Sequence, residues 1–244
     1  MSGIFKAIST FFKEGFTGWK RWESATLLLS CIIIVALSFY WQDSLLGIIS
    51  SVTGVAYTVC NGAGRRIAYL FGIVNSVLYG FIAFNAQIYG DAALYLLYYL
   101  PAMVVGLILW SRNMDAEGHE VVKRVMNARR RVLLCAVCIA GVIAGVFVLQ
   151  AVGDALPLLD SFTTVISVIA LVVALGRYAE QWVLWTSVNA VEVVLWSVRL
   201  VRGGAMEAGS SLIMWVLFLV IGVIMWVRWA RQLKQCDRAV AQAA

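Results

Sequence analysis

Eight apolar segments, each long enough to cross the hydrocarbon core of a bilayer, limit what this chain can fold into. They lie at residues 23–41, 44–61, 66–84, 91–110, 132–150, 158–175, 180–198 and 209–227. Charged residues make up 13% of the chain, about half of what a soluble domain carries. Lipid offers the backbone no hydrogen-bond partners, and the short alternating strands of a membrane barrel are absent. The sequence therefore predicts an all-α membrane protein with eight transmembrane helices.

The loops between these segments predict the orientation. If the N-terminus is cytoplasmic, all of the 19 Lys and Arg residues except Arg199 and Arg202 fall on the cytoplasmic side. Cytoplasmic loops of membrane proteins are enriched in Lys and Arg. We therefore expect both termini in the cytoplasm. The net charge of +6 then reflects membrane orientation, and nucleic acid is not an expected partner.

The segments also contain an internal repeat. Residues 69–79 resemble residues 183–193, which aligns Asn75 with Asn189, and residues 106–110 resemble residues 222–226. Both copies run in the same direction, so we expect parallel repeats related by an axis along the membrane normal. The predicted parts are a cytoplasmic amphipathic segment at 1–22, an extra transmembrane helix at 23–41, a first triple-helix repeat at 44–111, a cytoplasmic basic loop with a linker helix at 112–150, a second triple-helix repeat at 158–228 and a cytoplasmic tail at 229–244.

One stretch of the second repeat combines apolar length with polar and aromatic side chains. At about 100° per residue, a helix places Trp182, Trp185, Asn189, Glu192 and Trp196 within an arc of about 80°. Intramembrane polar groups usually face a bundle interior or a cavity. This face therefore predicts a binding site for a flat, polar molecule, and its tryptophans suit a molecule that is also a cation. Two alternatives remain open: Trp182 and Trp196 could belong to the interfacial aromatic belt, and Glu192 could pair with Arg199.

The first repeat offers a second group of candidate binding residues. Asn75 matches Asn189, with Phe71 one turn before it and Tyr79 one turn after it. Tyr98 lies on the next segment ahead of Pro101, which we expect to kink that helix. Gln87 lies near the outer side and could line an entrance. The alternatives are that the asparagines only join neighbouring helices and that Tyr98 only packs.

Enzymatic chemistry has little support in the sequence. The single histidine, His119, lies in a charged loop where we expect it to be solvated, and no catalytic residues, cofactor or metal site are predicted. The spacing of Cys135 and Cys138 fits two small apolar residues one turn apart better than a redox pair. An intramembrane enzyme that uses Glu192 is a distant alternative. Phosphate binding is disfavoured because every Lys and Arg lies at or beyond a helix end, where none can clamp a phosphate in a cavity.

Several of these residues resemble the PnuC family of bacterial nicotinamide riboside transporters. The similarity lies in the Trp185-x-x-x-Asn189 motif, the stretch at residues 69–75, the Tyr89-Gly90 step, Pro101 with Gly106 and Trp110, and the 3+1+3 arrangement. It extends over about residues 45–226.

The resemblance implies a SWEET-like fold in the bacterial inner membrane. It further implies uptake of nicotinamide riboside for NAD synthesis by facilitated diffusion, with phosphorylation trapping the product, and assembly as a homotrimer. Trp185 and Asn189 would be the motif residues, and Phe71 stands where the second repeat has Trp185. Thiamine, riboflavin-like compounds and deoxynucleosides remain alternative substrates.

Overall fold

The computed structural model describes residues 9, 11, 13, 15–42, 44–85, 92–201 and 206–243, and for residues 199, 206–211 and 236–243 it describes the backbone only. This part of the chain contains eight long helices: α1 (Arg21–Tyr40), α2 (Leu45–Gly62), α3 (Ala68–Asn85), α4 (Leu94–Ser111), α5 (Ala128–Ala151), α6 (Pro157–Leu175), α7 (Gln181–Val201) and α8 (Met206–Ala243). The described residues form no sheet, only two isolated β-bridges.

Seven of these eight helices are long and apolar enough to cross a membrane, within the ranges that the structure describes. The exception is α7, whose 21 residues suffice in length but include Gln181, Asn189 and Glu192, which lower its mean hydropathy. The prediction of an all-α, multi-pass membrane protein is confirmed.

The start of α5 and the end of α8 differ most from the predicted bounds. Helix α5 starts ahead of the predicted residue 132, because the Asn127 side chain accepts a hydrogen bond from the Arg130 N–H at 2.9 Å and caps the helix there. Helix α8 continues to Ala243, so residues 229–243, predicted as a tail, are helical.

The chain divides into two compact units, Met1–Val122 and Lys123–Ala244. In the first unit each helix packs against the next along the chain, from α1 to α4. In the second unit α5 to α8 pack in the same serial order. The helices that carry Asn75 and Asn189, α3 and α7, therefore each contact both of their neighbours.

The turn before each of these two helices has the same hydrogen-bond pattern. After α2, the Gly64 N–H donates to the Asn61 carbonyl at 3.0 Å and the next N–H donates to the Cys60 carbonyl at 2.9 Å. After α6, the Arg177 N–H donates to the Ala174 carbonyl at 2.9 Å and the next N–H donates to the Val173 carbonyl at 3.2 Å. Gly64 and Arg177 have φ angles of 71° and 62°. Both are Schellman turns, in which one residue takes the left-handed conformation. Glycine adopts this conformation at no steric cost, whereas arginine adopts it at a cost.

The turn after α2 also carries a buried cation. The Arg65 side chain is 1% exposed, and its guanidinium donates hydrogen bonds to the carbonyls of Thr17 (2.8 Å), Gly18 (2.8 Å) and His119 (2.9 Å). The carboxylate of Glu23, 0% exposed, lies 3.8 Å from the same guanidinium. Arg65 thus joins the N-terminal segment and the loop after α4 to the end of α2. His119, expected to be solvated, is half-buried.

The N-terminal segment packs on the same end of the first unit. Its described residues 9, 11, 13, 15 and 16 are helical. Phe11 and Trp19 pack against a buried cluster of Cys60, Ile67 and Ala68. This part of the segment's apolar face is therefore used for contacts within the protein.

Candidate functional site

The five candidate residues of α7 separate into two stripes. Trp182 and Asn189, with Thr186 between them, occupy the side of α7 that faces α8. Trp185, Glu192 and Trp196 occupy the adjoining side and are half-buried. The 80° arc predicted from the sequence is thus divided between a packed helix contact and a partly open surface.

Asn189 joins α7 to α8. Its side-chain N–H group donates to the Phe218 carbonyl at 3.0 Å, and the side chain is only 6% exposed. Gly222 allows this approach, because a Cβ atom there would lie 3.3 Å from the Asn189 Nδ2 atom. The amide oxygen of Asn189 has no hydrogen-bond partner within the described part of the chain. The residue is therefore a helix-joining group that retains one acceptor.

Trp182 is a core residue of the second unit. It is 1% exposed, and its ring stands edge-on to Trp229 with centroids 6.1 Å apart. Its indole N–H and the Thr186 hydroxyl are both buried without a hydrogen-bond partner among the described residues. Trp182 and Thr186 are one turn apart, so two buried donors point from the same side of α7. The i, i+4 spacing from Trp182 could have singled out Thr186 in the sequence, but a lone threonine gives a weak signal.

The second stripe contains the intramembrane acid. The Trp196 indole N–H donates to the Glu192 carboxylate at 3.1 Å, which fits their spacing of one helical turn. The Arg199 side chain, the alternative partner, lies outside the described residues. Trp185 lies near Glu192 on the same stripe and is half-buried, so its ring retains exposed surface.

Asn75 joins α3 to the helix before it. Its side-chain N–H group donates to the Ser50 carbonyl at 2.8 Å and lies 3.3 Å from the Ser50 hydroxyl. Gly54 permits the contact, since a Cβ atom there would lie 3.2 Å from the Asn75 Nδ2 atom. The amide oxygen again has no hydrogen-bond partner in the ranges described. Both asparagines join neighbouring helices, but Asn75 bonds to the preceding helix and Asn189 to the following one.

The tyrosines of the first unit form one aromatic cluster. Tyr79 on α3 lies 4.3 Å from Tyr95, Tyr95 lies 4.9 Å from Tyr99, and Tyr98 lies 5.4 Å from Tyr99, measured between ring centroids. Residues Leu94–Tyr99 form a π-helical stretch directly before Pro101. Proline has no N–H with which to continue the α-helical pattern, and the π-helical stretch lies where the kink was predicted. The two candidates Tyr79 and Tyr98 therefore belong to one aromatic cluster.

The remaining two candidates are not brought to this cluster. Phe71 packs against Cys60, Ile67 and Ala68, near the N-terminal segment. Gln87 lies outside the described residues. Among the residues that are described, no three His, Cys, Asp or Glu side chains come together as a metal site.

Comparison with known proteins gives concordant results. The family model described as nicotinamide mononucleotide transporter matches residues 44–231. A protein of Neisseria mucosa named nicotinamide riboside transporter PnuC is 32% identical over 237 residues, which are 96% of this chain and 90% of the relative. A Haemophilus influenzae protein of the same name is 28% identical, over 92% of this chain and 96% of the relative.

A solved structure agrees with these sequence relatives. The crystal structure of the vitamin B3 transporter PnuC resembles this fold with a TM-score of 0.77 and 31% identity, over 93% of this chain and 98% of that chain. The matched ranges include both asparagine-bearing helices, their preceding turns and the aromatic cluster. The chain belongs to the family of membrane transporters described as nicotinamide mononucleotide transporters.

Proposed function

We propose that this protein transports nicotinamide riboside across the membrane. The observation that carries the proposal is the pairing, one turn apart on α7, of a half-buried Trp185 ring with an Asn189 amide oxygen that has no partner in the described part of the chain. Nicotinamide riboside has a pyridinium ring, a carboxamide and a ribose. A tryptophan face attracts such a cation by about 0.5–2 kcal/mol, and an amide oxygen accepts a hydrogen bond from a carboxamide or a hydroxyl.

The lack of Lys and Arg along the helices that carry the candidate residues favours the riboside over its mononucleotide. Residues 68–85, 94–111 and 181–198 contain no Lys or Arg. A phosphate in a low-dielectric cavity requires such partners, preferably an arginine fork. The name of the matching family refers to the mononucleotide, whereas the sequence relatives are named for the riboside.

The finer features of the proposal come from the sequence and from the resemblance. They are eight spans with both termini in the cytoplasm of a bacterium, a SWEET-like 3+1+3 core, facilitated diffusion by alternating access with trapping by phosphorylation, and a homotrimer. Family membership supports a transporter rather than an enzyme. Thiamine, riboflavin-like compounds and deoxynucleosides are the competing substrates.

Calorimetric binding to the purified protein tests the substrate. We expect nicotinamide riboside to bind, and nicotinamide mononucleotide and thiamine to bind at least tenfold more weakly. Good binding of thiamine or a nucleoside without riboside binding would overturn the substrate and leave the transporter class intact.

Two substitutions test the residues. We expect Trp185→Ala and Asn189→Ala to weaken riboside binding by about tenfold or more, which corresponds to about 1.4 kcal/mol. Trp226→Ala on α8 is the matched control, because it removes a half-exposed tryptophan that lies outside both α7 stripes. Asn189→Ala also removes the bond to Phe218, so its unfolding temperature must be measured alongside. Equal binding by Trp185→Ala and Trp226→Ala would refute the assignment of Trp185.

A further inference from the structure

The second unit contains an open groove away from the two α7 stripes. Its volume is about 670 Å³. The α7 residues in its wall, Val183, Leu184 and Ser187, come from the side of that helix opposite the Trp185 stripe. From the other helices the wall includes Cys135, Cys138 and Ile139 of α5, Phe162 and Ile166 of α6, and Trp226, Ala230 and Leu233 of α8.

The walls of this groove are apolar and accessible. Ile139, Val183 and Trp226 are exposed in the protein despite their size. Such a face within membrane-spanning helices is suited to contact with hydrocarbon chains rather than with water. The groove therefore accepts a long apolar molecule along its length.

Among the described residues, the charged side chains that line the groove lie at one end. Arg131 stands in the first turn of α5, Lys234 lies beyond the apolar part of α8, and both line the groove together with Glu180. The Arg131 Nε atom lies 2.9 Å from a Glu180 oxygen that also accepts from the Met126 N–H at 3.0 Å. The terminal guanidinium nitrogens of Arg131 and the Lys234 ammonium have no hydrogen-bond partner within the described residues. Two cationic groups remain available at that end.

We propose that this groove binds one anionic phospholipid, with its acyl chains along the apolar walls and its phosphate at Arg131 and Lys234. The layout of the groove matches that of a lipid, because its apolar length ends in two cationic side chains, one of which also pairs with Glu180. Packing of a second copy of the chain against the groove would not require cations confined to one of its ends. Basic pockets between transmembrane helices on the cytoplasmic side bind anionic head groups, and the positive-inside pattern assigns this end to the cytoplasm.

Native mass spectrometry of the full chain with dioleoyl phosphatidylglycerol and with dioleoyl phosphatidylcholine tests the proposal. Wild type is expected to retain one phosphatidylglycerol per chain in preference to phosphatidylcholine. Each basic group near a lipid surface contributes about fivefold in affinity. The double variant Arg131→Ala/Lys234→Ala is therefore expected to bind phosphatidylglycerol about thirtyfold more weakly. Arg129→Ala removes an equal charge from the same turn of α5 without lining the groove, and it is expected to bind like wild type.

A second measurement uses the wild-type protein alone. Cys135 is exposed and lines the groove, so added phosphatidylglycerol should slow its reaction with a maleimide, as followed by peptide mapping, whereas phosphatidylcholine should not. Equal retention of the two lipids, or an Arg129→Ala loss equal to that of the double variant, would overturn the proposal. Protection of Cys135 by oligomerisation in delipidated protein would also overturn it, and would assign the groove to a second copy.

Discussion

Replacement of Arg65 by alanine is the substitution from which we expect the largest loss of stability. The change removes three hydrogen bonds of 2.8–2.9 Å to the Thr17, Gly18 and His119 carbonyls. It also leaves the carboxylate of Glu23, which is 0% exposed, without the cation beside it. Hydrogen bonds to charged groups contribute about 1.5–3 kcal/mol each. Removal of one partner of a buried ion pair costs about 3–5 kcal/mol in total, and we adopt this range because the individual bonds are not additive.

The expected result is a fall in the unfolding temperature. For a chain of this length, 1 kcal/mol corresponds to about 2–4 °C, so Arg65→Ala should unfold on the order of 10 °C below wild type. The assay is thermal unfolding of the detergent-purified protein at one fixed scan rate, because the midpoint depends on scan rate wherever unfolding is irreversible.

Two further variants make this prediction refutable. Arg66→Ala is the matched control: Arg66 is half-buried over the Phe11 ring at 4.9 Å, a contact worth about 0.5–2 kcal/mol, and its loss should shift the midpoint less. Adding Glu23→Gln to Arg65→Ala should restore part of the loss, since it removes the buried negative charge that loses Arg65 as its ion-pair partner. An Arg65→Ala shift no larger than that of Arg66→Ala would show that Arg65 does not hold this end of the protein together.

Three smaller predictions use the same unfolding assay. Gln42 is exposed and has a φ angle of 56°, a left-handed conformation that costs a non-glycine residue about 1 kcal/mol. Gln42→Gly should therefore raise the midpoint by about 2–4 °C, and an unchanged midpoint would mean that this turn carries no such cost. A Cβ atom at Gly106 would collide with the buried Tyr69 ring, so Gly106→Ala should lower the midpoint by at least several degrees through overpacking of about 1–3 kcal/mol, and an unchanged midpoint would contradict this packing. Trp182→Phe removes a buried N–H that has no acceptor among the described residues, so its midpoint should stay within a few degrees of wild type, whereas a large drop would mean that this donor is satisfied.

The positions of the helices were largely predictable because apolar length is a local property of the sequence. The structure forms helices at all eight predicted segments, and family membership agrees with the motif around Asn189. The differences from the predicted spans occur at helix ends such as 229–243, where polar residues continue a helix beyond its apolar part. The π-helical stretch before Pro101 was predictable only as an irregularity, since proline dictates that a hydrogen bond is missing but not how the backbone accommodates it.

Sequence alignment of the two repeats does not predict which tryptophan of α8 is buried. The alignment pairs Trp110 with Trp226, but the two differ in burial. Trp110 is buried with Tyr69 edge-on at 5.1 Å, whereas the buried tryptophan of α8 is Trp229, which has Trp182 edge-on at 6.1 Å. Trp226 instead lines the groove. Trp226 and Trp229 lie about one helical turn apart on α8. A shift of this size in how α8 packs changes which of the two tryptophans is buried but leaves the sequence pattern the same.

The amino-acid sequence was sufficient to predict a helical membrane protein, the helix that carries the polar and aromatic residues, and the family. These properties depend on residue type and spacing along one helix. Other features became visible only once the helices were packed. Asn189 bonds forward to Phe218 while Asn75 bonds back to Ser50, Arg65 is buried beneath the N-terminal segment, and the opposite side of α7 lines a groove. Such contacts depend on how neighbouring helices rotate and slide against one another, and many packing partners together set those positions.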